Sequence, residues 1–253
     1  MRIHTLKSGS KGNSTLVWTD RTKILVDCGI SGKAAQTEIK KLGIDPSELD
    51  AVVITHEHSD HIRGLGVLMR RFGLDVYANE KTWEQMYGTL GKIDDDNIKT
   101  FETPGGFEIG DIYVSPFRIS HDAADPVGYC FENGKEKFSI ATDMGYIDDG
   151  ILDKLAGSDS VVLESNHDLS LLEMGKYPPL LKRRIKSDIG HLSNGQAGDA
   201  AEKLVKSGAK NIILAHLSEE NNNPHLAYIT VKTALESCGI NVGADVNLKV
   251  ACV

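Results

Sequence analysis

Short apolar runs alternate with polar turns along the first third of the chain, which is typical of strands joined by tight connections. The runs rich in β-branched and aliphatic residues predict strands over Arg2–Leu6, Thr15–Thr19, Thr22–Val26 and Ala51–Thr55. Two helices are predicted between and after them. One covers Gly32–Leu42, with Ser31 as its N-cap and Gly43 at its end, and the other covers His61–Phe72, which Gly73 ends.

The middle of the chain continues this alternation of strands and turns, and the last part alternates strands with helices. Further strands are predicted over Asp75–Ala78, Ile98–Glu102, Ile112–Ser120, Gly128–Phe131 and Phe138–Thr142, the last two joined by a type I′ hairpin turn at Asn133-Gly134. From residue 160 onwards, strands and helices alternate. Strands are predicted over Ser160–Leu163, Asn211–Ala215 and Asn247–Ala251, and helices between residues 169 and 186, over Asn194–Ser207 and over Ala227–Ser237.

Two β-rich segments that each end in a helical region predict two sheets that face each other with helices outside. The predicted fold class is therefore α/β (α+β), arranged as a four-layer αββα sandwich. No low-complexity linker, repeat or change of composition divides the sequence. We therefore expect a single domain over residues 1–253.

Composition and charge indicate which classes of protein the chain can belong to. The chain has 253 residues, 40% hydrophobic and 25% charged, which is typical of a soluble globular protein. Its formal net charge of −8 argues against non-specific coating of nucleic acid or of an anionic membrane, but it allows a locally positive site. No apolar run approaches the roughly 18 residues of a membrane span. Scattered cysteines without a CxxC pair predict reduced thiols in a cytoplasmic protein; they are Cys28, Cys130, Cys238 and Cys252.

The strongest chemical signal is THEHSDH at residues 55–61, which places three histidines and two carboxylates directly after an apolar strand. Because alternate residues at a strand end project to the same side, His56 and His58 are expected to converge on one metal ion. The chain then turns into a helix, which aims Asp60 and His61 toward a second position nearby. Imidazole and carboxylate ligands suit zinc, and also manganese or iron.

THEHSDH resembles the signature of the metallo-β-lactamase superfamily, and further matches follow in that family's order. They are Asp27 after a predicted strand, His121 in ISHDAADPVGY, Asp143 in SIATDMGY and His216 in NIILAHLS. The resemblance implies that Asp27 orients the signature loop and that two divalent ions are bound. It implies a first site of His56, His58, His121 and Asp143, and a second site of Asp60, His61, His216 and the bridging Asp143.

Two such ions would share a hydroxide generated at neutral pH and stabilise the transition state, with Asp60 counted among the catalytic residues. An electropositive centre inside an acidic protein suits an anionic substrate. The presence of Asp143, together with the absence of a cysteine at a matching position, excludes the zinc β-lactamases. The lack of a large insertion before His216 excludes nucleases with an additional domain there.

Local resemblances favour phosphodiester cleavage. SGSKGN (8–13) resembles a Ser/Gly/Asn loop common in phosphodiester-cleaving members, which makes Ser10 and Asn13 candidate substrate contacts. His191 in GHLSNGQA resembles the HST-x-x-QA segment of tRNA 3′-processing endonucleases, and Glu164 matches the glutamate that partners that histidine. Because a histidine titrates near neutral pH and can protonate a leaving group, His191 is the candidate general acid.

The chain as a whole most resembles the WalJ/YycJ-like family, through ESNHD (164–168), KRRIKSDIGHLSN (182–194) and HLSEENNNP (216–224). Members of that family are regarded as cytosolic DNA nucleases proposed to act as 5′ exonucleases. The resemblance therefore implies DNA as the favoured substrate. Within these segments, His167, Arg183 and Arg184 are candidate substrate contacts, the arginines through the phosphate backbone.

The sequence leaves other functions open. The same centre could serve an RNA-processing phosphodiesterase or a lactone or thioester hydrolase, and a non-catalytic regulatory scaffold is the alternative of another class. The His191–Glu164 pair favours phosphodiester cleavage, because thiolate and many alkoxide leaving groups gain less from a dedicated acid. A protein that had lost catalytic activity would be expected to lack some of the metal ligands, and none of the expected ligands is missing. The motifs do not specify the metal, the polarity of cleavage or the oligomeric state.

Overall fold

The computed structural model describes residues 1–251 and contains two mixed β-sheets. The first sheet has six strands in sequence order: β1 (Arg2–Lys7), β2 (Ser14–Trp18), β3 (Lys23–Val26), β4 (Ala51–Val53), β5 (Asp75–Asn79) and β6 (Ile98–Phe101). Strands β1 to β3 pair antiparallel, and β3 to β6 pair parallel. The carboxyl ends of β3 to β6 therefore meet at one edge of the sheet.

The second sheet has seven strands and the same change from antiparallel to parallel pairing. Its strands, again in sequence order, are β7 (Phe107–Ile109), β8 (Ile112–Arg118), β9 (Val127–Asn133), β10 (Glu136–Ala141), β11 (Ser160–Glu164), β12 (Asn211–Ala215) and β13 (Asn247–Val250). Strands β7 to β10 pair antiparallel, and β10 to β13 pair parallel. Strands β8, β10, β11 and β12 thus run in the same direction.

Nine α-helices connect these strands within the described residues. They are α1 (Gly32–Lys41), α2 (Ser59–Ile62), α3 (Leu65–Phe72), α4 (Glu80–Met86), α5 (Asp149–Leu155), α6 (Leu169–Met174), α7 (Pro179–Ile185), α8 (Asn194–Lys206) and α9 (Pro224–Ser237). The Ser31 side chain caps α1 by accepting from the Ala34 N–H, as its sequence predicts. No helix among residues 1–251 is long and apolar enough to cross a bilayer.

The apolar residues form three clusters, and strand alternation separates them. Along β3, Ile24 and Val26 pack between the two sheets, whereas Leu25 packs under α1, α3 and α4. Along β11, Val162 points between the sheets, and Val161 packs under α5, α8 and α9. The order of layers is therefore helix, sheet, sheet, helix, and the predicted αββα sandwich is confirmed.

Two local predictions were wrong. The helix predicted over His61–Phe72 is interrupted at Gly64, whose N–H donates to the Cys28 carbonyl at 2.8 Å instead of continuing a regular helix. In the β9–β10 hairpin, Asn133 pairs with Glu136, so the turn is centred on Gly134 and Lys135. A positive φ of 60° falls on Gly134 and not on Asn133, which is typical of a type II′ turn and not of the predicted type I′ turn.

Three elements were missed by the sequence analysis, namely α4, α5 and β7. Helix α4 follows β5 directly, so its N-cap, Asn79, is also the last residue of a strand. The thiols of Cys28, Cys130 and Cys238 are free, as predicted, and Cys252 lies outside the described residues.

Close packing at Gly64 gives a testable prediction for stability. A Cβ atom added there would lie 2.2 Å from the Ile30 carbonyl oxygen and 2.7 Å from the Cys28 sulfur. We expect Gly64→Ala to lower the free energy of unfolding by about 1–3 kcal/mol, because backbone must move to relieve the clash. Urea denaturation measures this. Gly88→Ala, where a Cβ would meet nothing within 4 Å, is the control, and equal stabilities of the two variants would contradict the prediction.

Candidate metal centre and active site

The candidate ligands lie at strand ends from both sheets. His56 follows β4, His121 follows β8, Asp143 follows β10 and His216 follows β12. Their ligand atoms fall into groups whose members all lie within 4.8 Å of one another: His56, His58 and His121; His56, His61 and Asp143; Asp60, His61 and His216; and Asp143, Glu164, His191 and His216. The structure therefore brings together all seven residues that the sequence nominates as ligands.

Three residues at the centre have left-handed backbone conformations. Asp27, Asp143 and His216 have φ values of 58°, 60° and 55°; Asp27 and His216 directly follow a strand, and Asp143 lies two residues after one. Residues other than glycine rarely adopt this region, and each instance costs on the order of 1–3 kcal/mol. Because the rest of the fold maintains these conformations, the side chains are aimed at the centre by the protein itself.

Asp27, which the family resemblance implies orients the signature loop, is hydrogen-bonded to that loop in the structure. Its Oδ1 accepts from the Thr55 backbone N–H at 2.9 Å, and its Oδ2 accepts from the Thr55 hydroxyl at 2.8 Å and from His61 Nδ1 at 2.8 Å. With Nδ1 engaged, His61 keeps Nε2 for the centre. The Thr55 hydroxyl also lies 3.0 Å from His56 Nδ1, and since it donates to Asp27 it must accept there, which leaves His56 Nε2 free.

Hydrogen bonds to backbone carbonyls orient the other two histidines of the first group. His58 Nε2 lies 3.2 Å from the Asp122 carbonyl, so its Nδ1 faces the centre, 3.1 Å from His56 Nε2. His121 Nδ1 lies 3.3 Å from the Gly190 carbonyl, which leaves Nε2 for the centre. Three imidazole nitrogens thus converge while the other ring nitrogens are engaged elsewhere, which is typical of the ligands of a metal site.

Unpartnered polar atoms at the centre test whether the residues fit metal ions. Asp143 Oδ2 and His216 Nε2 are buried and have no hydrogen-bond partner among residues 1–251. Asp143 Oδ2 lies 3.5 Å from His61 Nε2, and His216 Nε2 lies 3.9 Å from Asp60 Oδ2. Buried polar atoms are rarely left unpaired, so these atoms fit ligands of cations. Imidazole nitrogens and carboxylate oxygens together suit a divalent transition metal.

Electrostatics at the second group also favour cations. Burial alone would raise the pKa of Asp60, but contacts with His216 and His61 outweigh it and hold the pKa below its usual range. Burial opposes protonation of His216, yet Asp143, Asp60 and Glu164 raise its pKa to about 10. The carboxylates therefore attract positive charge, which a metal ion can supply in place of those protons.

Glu164 connects the metal centre with His191. The carboxylate is fully buried, and its Oε1 accepts from His191 Nδ1 and from His216 Nδ1, both at 2.8 Å. Its Oε2 accepts from the backbone N–H groups of Met144 at 2.9 Å and Leu192 at 3.1 Å. With four hydrogen bonds, Glu164 has no lone pair left for an ion. It therefore orients two histidines, although its sequence match suggests a partner of His191 alone.

A cavity of about 250 Å³ opens onto this centre. Its walls include candidate ligands and His191, and also residues that the sequence analysis did not nominate: Asn166, Tyr177, Leu181, Ile185 and Ser218. Tyr177 lacks any local sequence signal, because neither its neighbours nor its spacing connects it with the histidine motif. Only the packing of α6 and α7 beside the strand ends brings it there.

The candidate substrate contacts divide into two sets. Ser10 and Arg184 line the cavity, whereas Asn13, His167 and Arg183 do not. Asn13 is buried inside the centre, with Nδ2 3.3 Å from Asp60 Oδ2 and 3.0 Å from His61 Nε2. His167 is 1% exposed and burial lowers its pKa to about 4, so substrate does not reach it in this conformation. Arg183 faces solvent.

Arg184 is not a free cation at the cavity. Its Nε donates to Asp122 Oδ2 at 2.6 Å, and this pair ties α7 to the loop that carries His121. The same loop is fixed a second time, because the Ser120 hydroxyl donates to the Asp188 carbonyl at 2.6 Å. Residues 184–190 therefore form one wall of the cavity and also position a candidate ligand.

The match to known proteins agrees with this architecture. A family model described as the beta-lactamase superfamily domain matches residues 22–217, a span that contains every candidate ligand. The metallo-beta-lactamase fold protein YhfI from Bacillus subtilis has a TM-score of 0.76 and 18% identity, covering 99% of this chain and 95% of that chain. The chain belongs to the metallo-β-lactamase superfamily.

Relatives of high identity narrow the assignment within that superfamily. Exodeoxyribonuclease YycJ of Bacillus anthracis is 44% identical over 243 residues, which cover 96% of this chain and 92% of that protein. Exodeoxyribonuclease WalJ of Streptococcus pneumoniae serotype 2 is 43% identical over 242 residues, covering 95% and 90%. This similarity extends over nearly the whole chain and places it in the WalJ/YycJ-like family.

The position of Asp143 between the ligand groups predicts the effect of its removal. Asp143→Asn keeps a residue that tolerates a positive φ but removes the negative charge, so we expect fewer ions bound per chain. Elemental analysis of protein purified without chelator measures the metal content. The control is Asp153→Asn, an exposed acid on α5, which should retain the wild-type content. Unchanged metal content in Asp143→Asn would argue against a ligand role.

Proposed function

We propose that this chain is a metal-dependent exodeoxyribonuclease. The observation that carries the hydrolytic part is the position of His191, which lines the cavity beside the candidate ligands and is held by the buried carboxylate of Glu164. DNA is proposed as the substrate because the relatives that match nearly the whole chain are named exodeoxyribonucleases. The free thiols and a DNA substrate fit a cytoplasmic enzyme.

The proposed cofactor is a pair of divalent ions, zinc or manganese, with iron as a further candidate. In this proposal Asp143 would contribute to both sites. The first ion would also be held by His56, His58 and His121, and the second by Asp60, His61 and His216. When bound, such ions lower the pKa of a water molecule and neutralise the charge of a phosphodiester.

The protein's own residues would position the ligand atoms and supply the proton for the leaving group. The ends of β4, β8, β10 and β12 fix the ligand atoms before substrate arrives, so little reorganisation is needed during reaction. Glu164 accepts the Nδ1 proton of His191, which leaves Nε2 as the nitrogen that faces the substrate. His191 is proposed to act in its imidazolium form: the proton on Nε2 passes to the departing oxygen, and the ring is left neutral with Nδ1–H still bonded to Glu164, its orienting partner.

Other functions of the same centre are less well supported. An RNA-processing phosphodiesterase would use the same residues, and a lactone or thioester hydrolase would need no acid of this kind. The intact set of candidate ligands also argues against a non-catalytic scaffold. Arg184 forms an ion pair with Asp122. Contacts with the phosphate backbone are therefore assigned to the neighbouring Arg183, which faces solvent.

The choice of substrate class can be measured directly. We expect the metal-loaded protein to hydrolyse phosphodiesters faster than lactones or β-lactams at matched concentration, by about tenfold or more. A parallel screen with bis-p-nitrophenyl phosphate, end-labelled single- and double-stranded DNA, RNA of the same sequence and a lactone tests this. Preference for the lactone would remove the nuclease proposal, and preference for RNA would replace the DNA substrate.

Protonation of the leaving group predicts a difference between two substrates. Cleavage of DNA expels an alkoxide that needs a proton, so His191→Ala should lower that activity by about 10²–10⁴-fold. Activity on bis-p-nitrophenyl phosphate should fall much less, because nitrophenolate leaves without a proton. Both rates and the metal content are measured on the same preparations.

The control for this comparison is His225→Ala, which removes an exposed histidine at the start of α9. It should leave both activities unchanged. Equal loss on the two substrates with metals retained would mean that His191 positions substrate and does not donate a proton. Loss of metal from His191→Ala would instead make the residue part of the ligand shell.

A further inference from the structure

The surface beside the cavity carries the most exposed large apolar side chains among residues 1–251. Met174 at the end of α6 is 78% exposed, and Leu180 in α7 is 73% exposed. Leu169, at the start of α6, is 52% exposed. Isolated exposed apolar residues need no explanation, but a cluster within one short segment is typical of a binding surface.

The segment that carries these exposed residues also reaches the catalytic cavity. Tyr177 lies in the chain between Met174 and Leu180, and its side chain lines the cavity together with Leu181 and Ile185 of α7. Residues 174–185 therefore carry exposed apolar side chains and also contribute apolar side chains to the wall of the cavity that His191 lines.

Unpaired positive charges flank the same surface. Lys182 and Lys186 contact Glu173, and Arg184 is paired with Asp122. Lys176 and Arg183 are exposed and form no ion pair with any other residue in the range 1–251. These two cations lie in the same segment of chain as Met174 and Leu180, in a protein whose formal net charge is −8.

We propose that Tyr177, with Met174 and Leu180 beside it, forms a platform on which bases of an unpaired DNA strand stack next to the scissile phosphodiester. This inference rests on the proposed nuclease function. Single strands are bound by surfaces that combine flat or apolar side chains for the bases with cations for the backbone, and Lys176 and Arg183 supply the cations. The cavity of about 250 Å³ also favours one strand over a duplex.

Other occupants would match only part of these features. An anionic membrane would satisfy the apolar residues and Lys176 and Arg183, but it would cover the mouth of the cavity. A second copy of the chain would do the same. An unpaired strand is the occupant that uses the apolar surface, the free cations and the cavity at once.

The test compares a single-stranded oligonucleotide with an abasic strand of the same length and charge, using the metal-loaded protein. If bases stack on the platform, the wild-type protein should bind the abasic strand more weakly, with KM higher by about tenfold. Tyr177→Ala should raise KM for the normal strand by a similar factor and for the abasic strand hardly at all. Tyr177→Phe should retain the wild-type preference, because it keeps the ring.

The matched control is Tyr87→Ala, which removes a half-exposed tyrosine that does not line the cavity. It should leave both KM values unchanged. The double variant Met174→Ser/Leu180→Ser, at exposed positions where folding is least affected, should weaken the preference for bases independently of Tyr177.

Three results would overturn the platform. One is an equal rise of KM on both strands in Tyr177→Ala, and another is a loss in Tyr177→Phe as large as in Tyr177→Ala. The third is a double variant that changes only self-association in sedimentation or binding to anionic vesicles. In each case, release of nucleotides from end-labelled DNA by the wild-type protein would show that the proposed function stands although the platform does not.

Discussion

The buried carboxylate of Glu164 is the constraint on which the candidate active site depends. Its four hydrogen bonds reach two histidine rings and the backbone after β10 and before α8. Burying a carboxylate is unfavourable unless such partners compensate it. Because His191 and His216 share one oxygen, the orientation of the proposed acid is not independent of the metal centre. A change at Glu164 would therefore disturb both.

The second constraint is the conformation of the strand ends. Asp27 and His216 adopt the left-handed region directly after a strand, and Asp143 does so two residues after one. Hydrogen bonds fix this backbone: the Asp27 N–H donates to the Val53 carbonyl at 3.0 Å, and the His216 N–H donates to the Ser8 hydroxyl at 2.7 Å. The fold itself therefore sets the backbone conformations from which these side chains extend.

The sequence predicts those parts of the site whose signal is local. His56, His58, Asp60 and His61 lie in one motif, and their strand-end position follows from the apolar run before them. The break at Gly64, the sharing of Glu164 and the place of Tyr177 depend on contacts between distant segments. Asn13 was nominated for substrate, but its burial against Asp60 became apparent only in three dimensions. That the whole chain forms one domain stays a prediction.

The double attachment of residues 184–190 gives the cavity wall a mechanical role. Arg184 is bound to Asp122, and the Gly190 carbonyl holds His121. Helix α7 and the loop of His121 are therefore held together by two contacts at one end of the cavity. A displacement of residues 184–190 would be passed to the His121 ring, so the shape of the cavity wall and the placement of this candidate ligand are mechanically coupled.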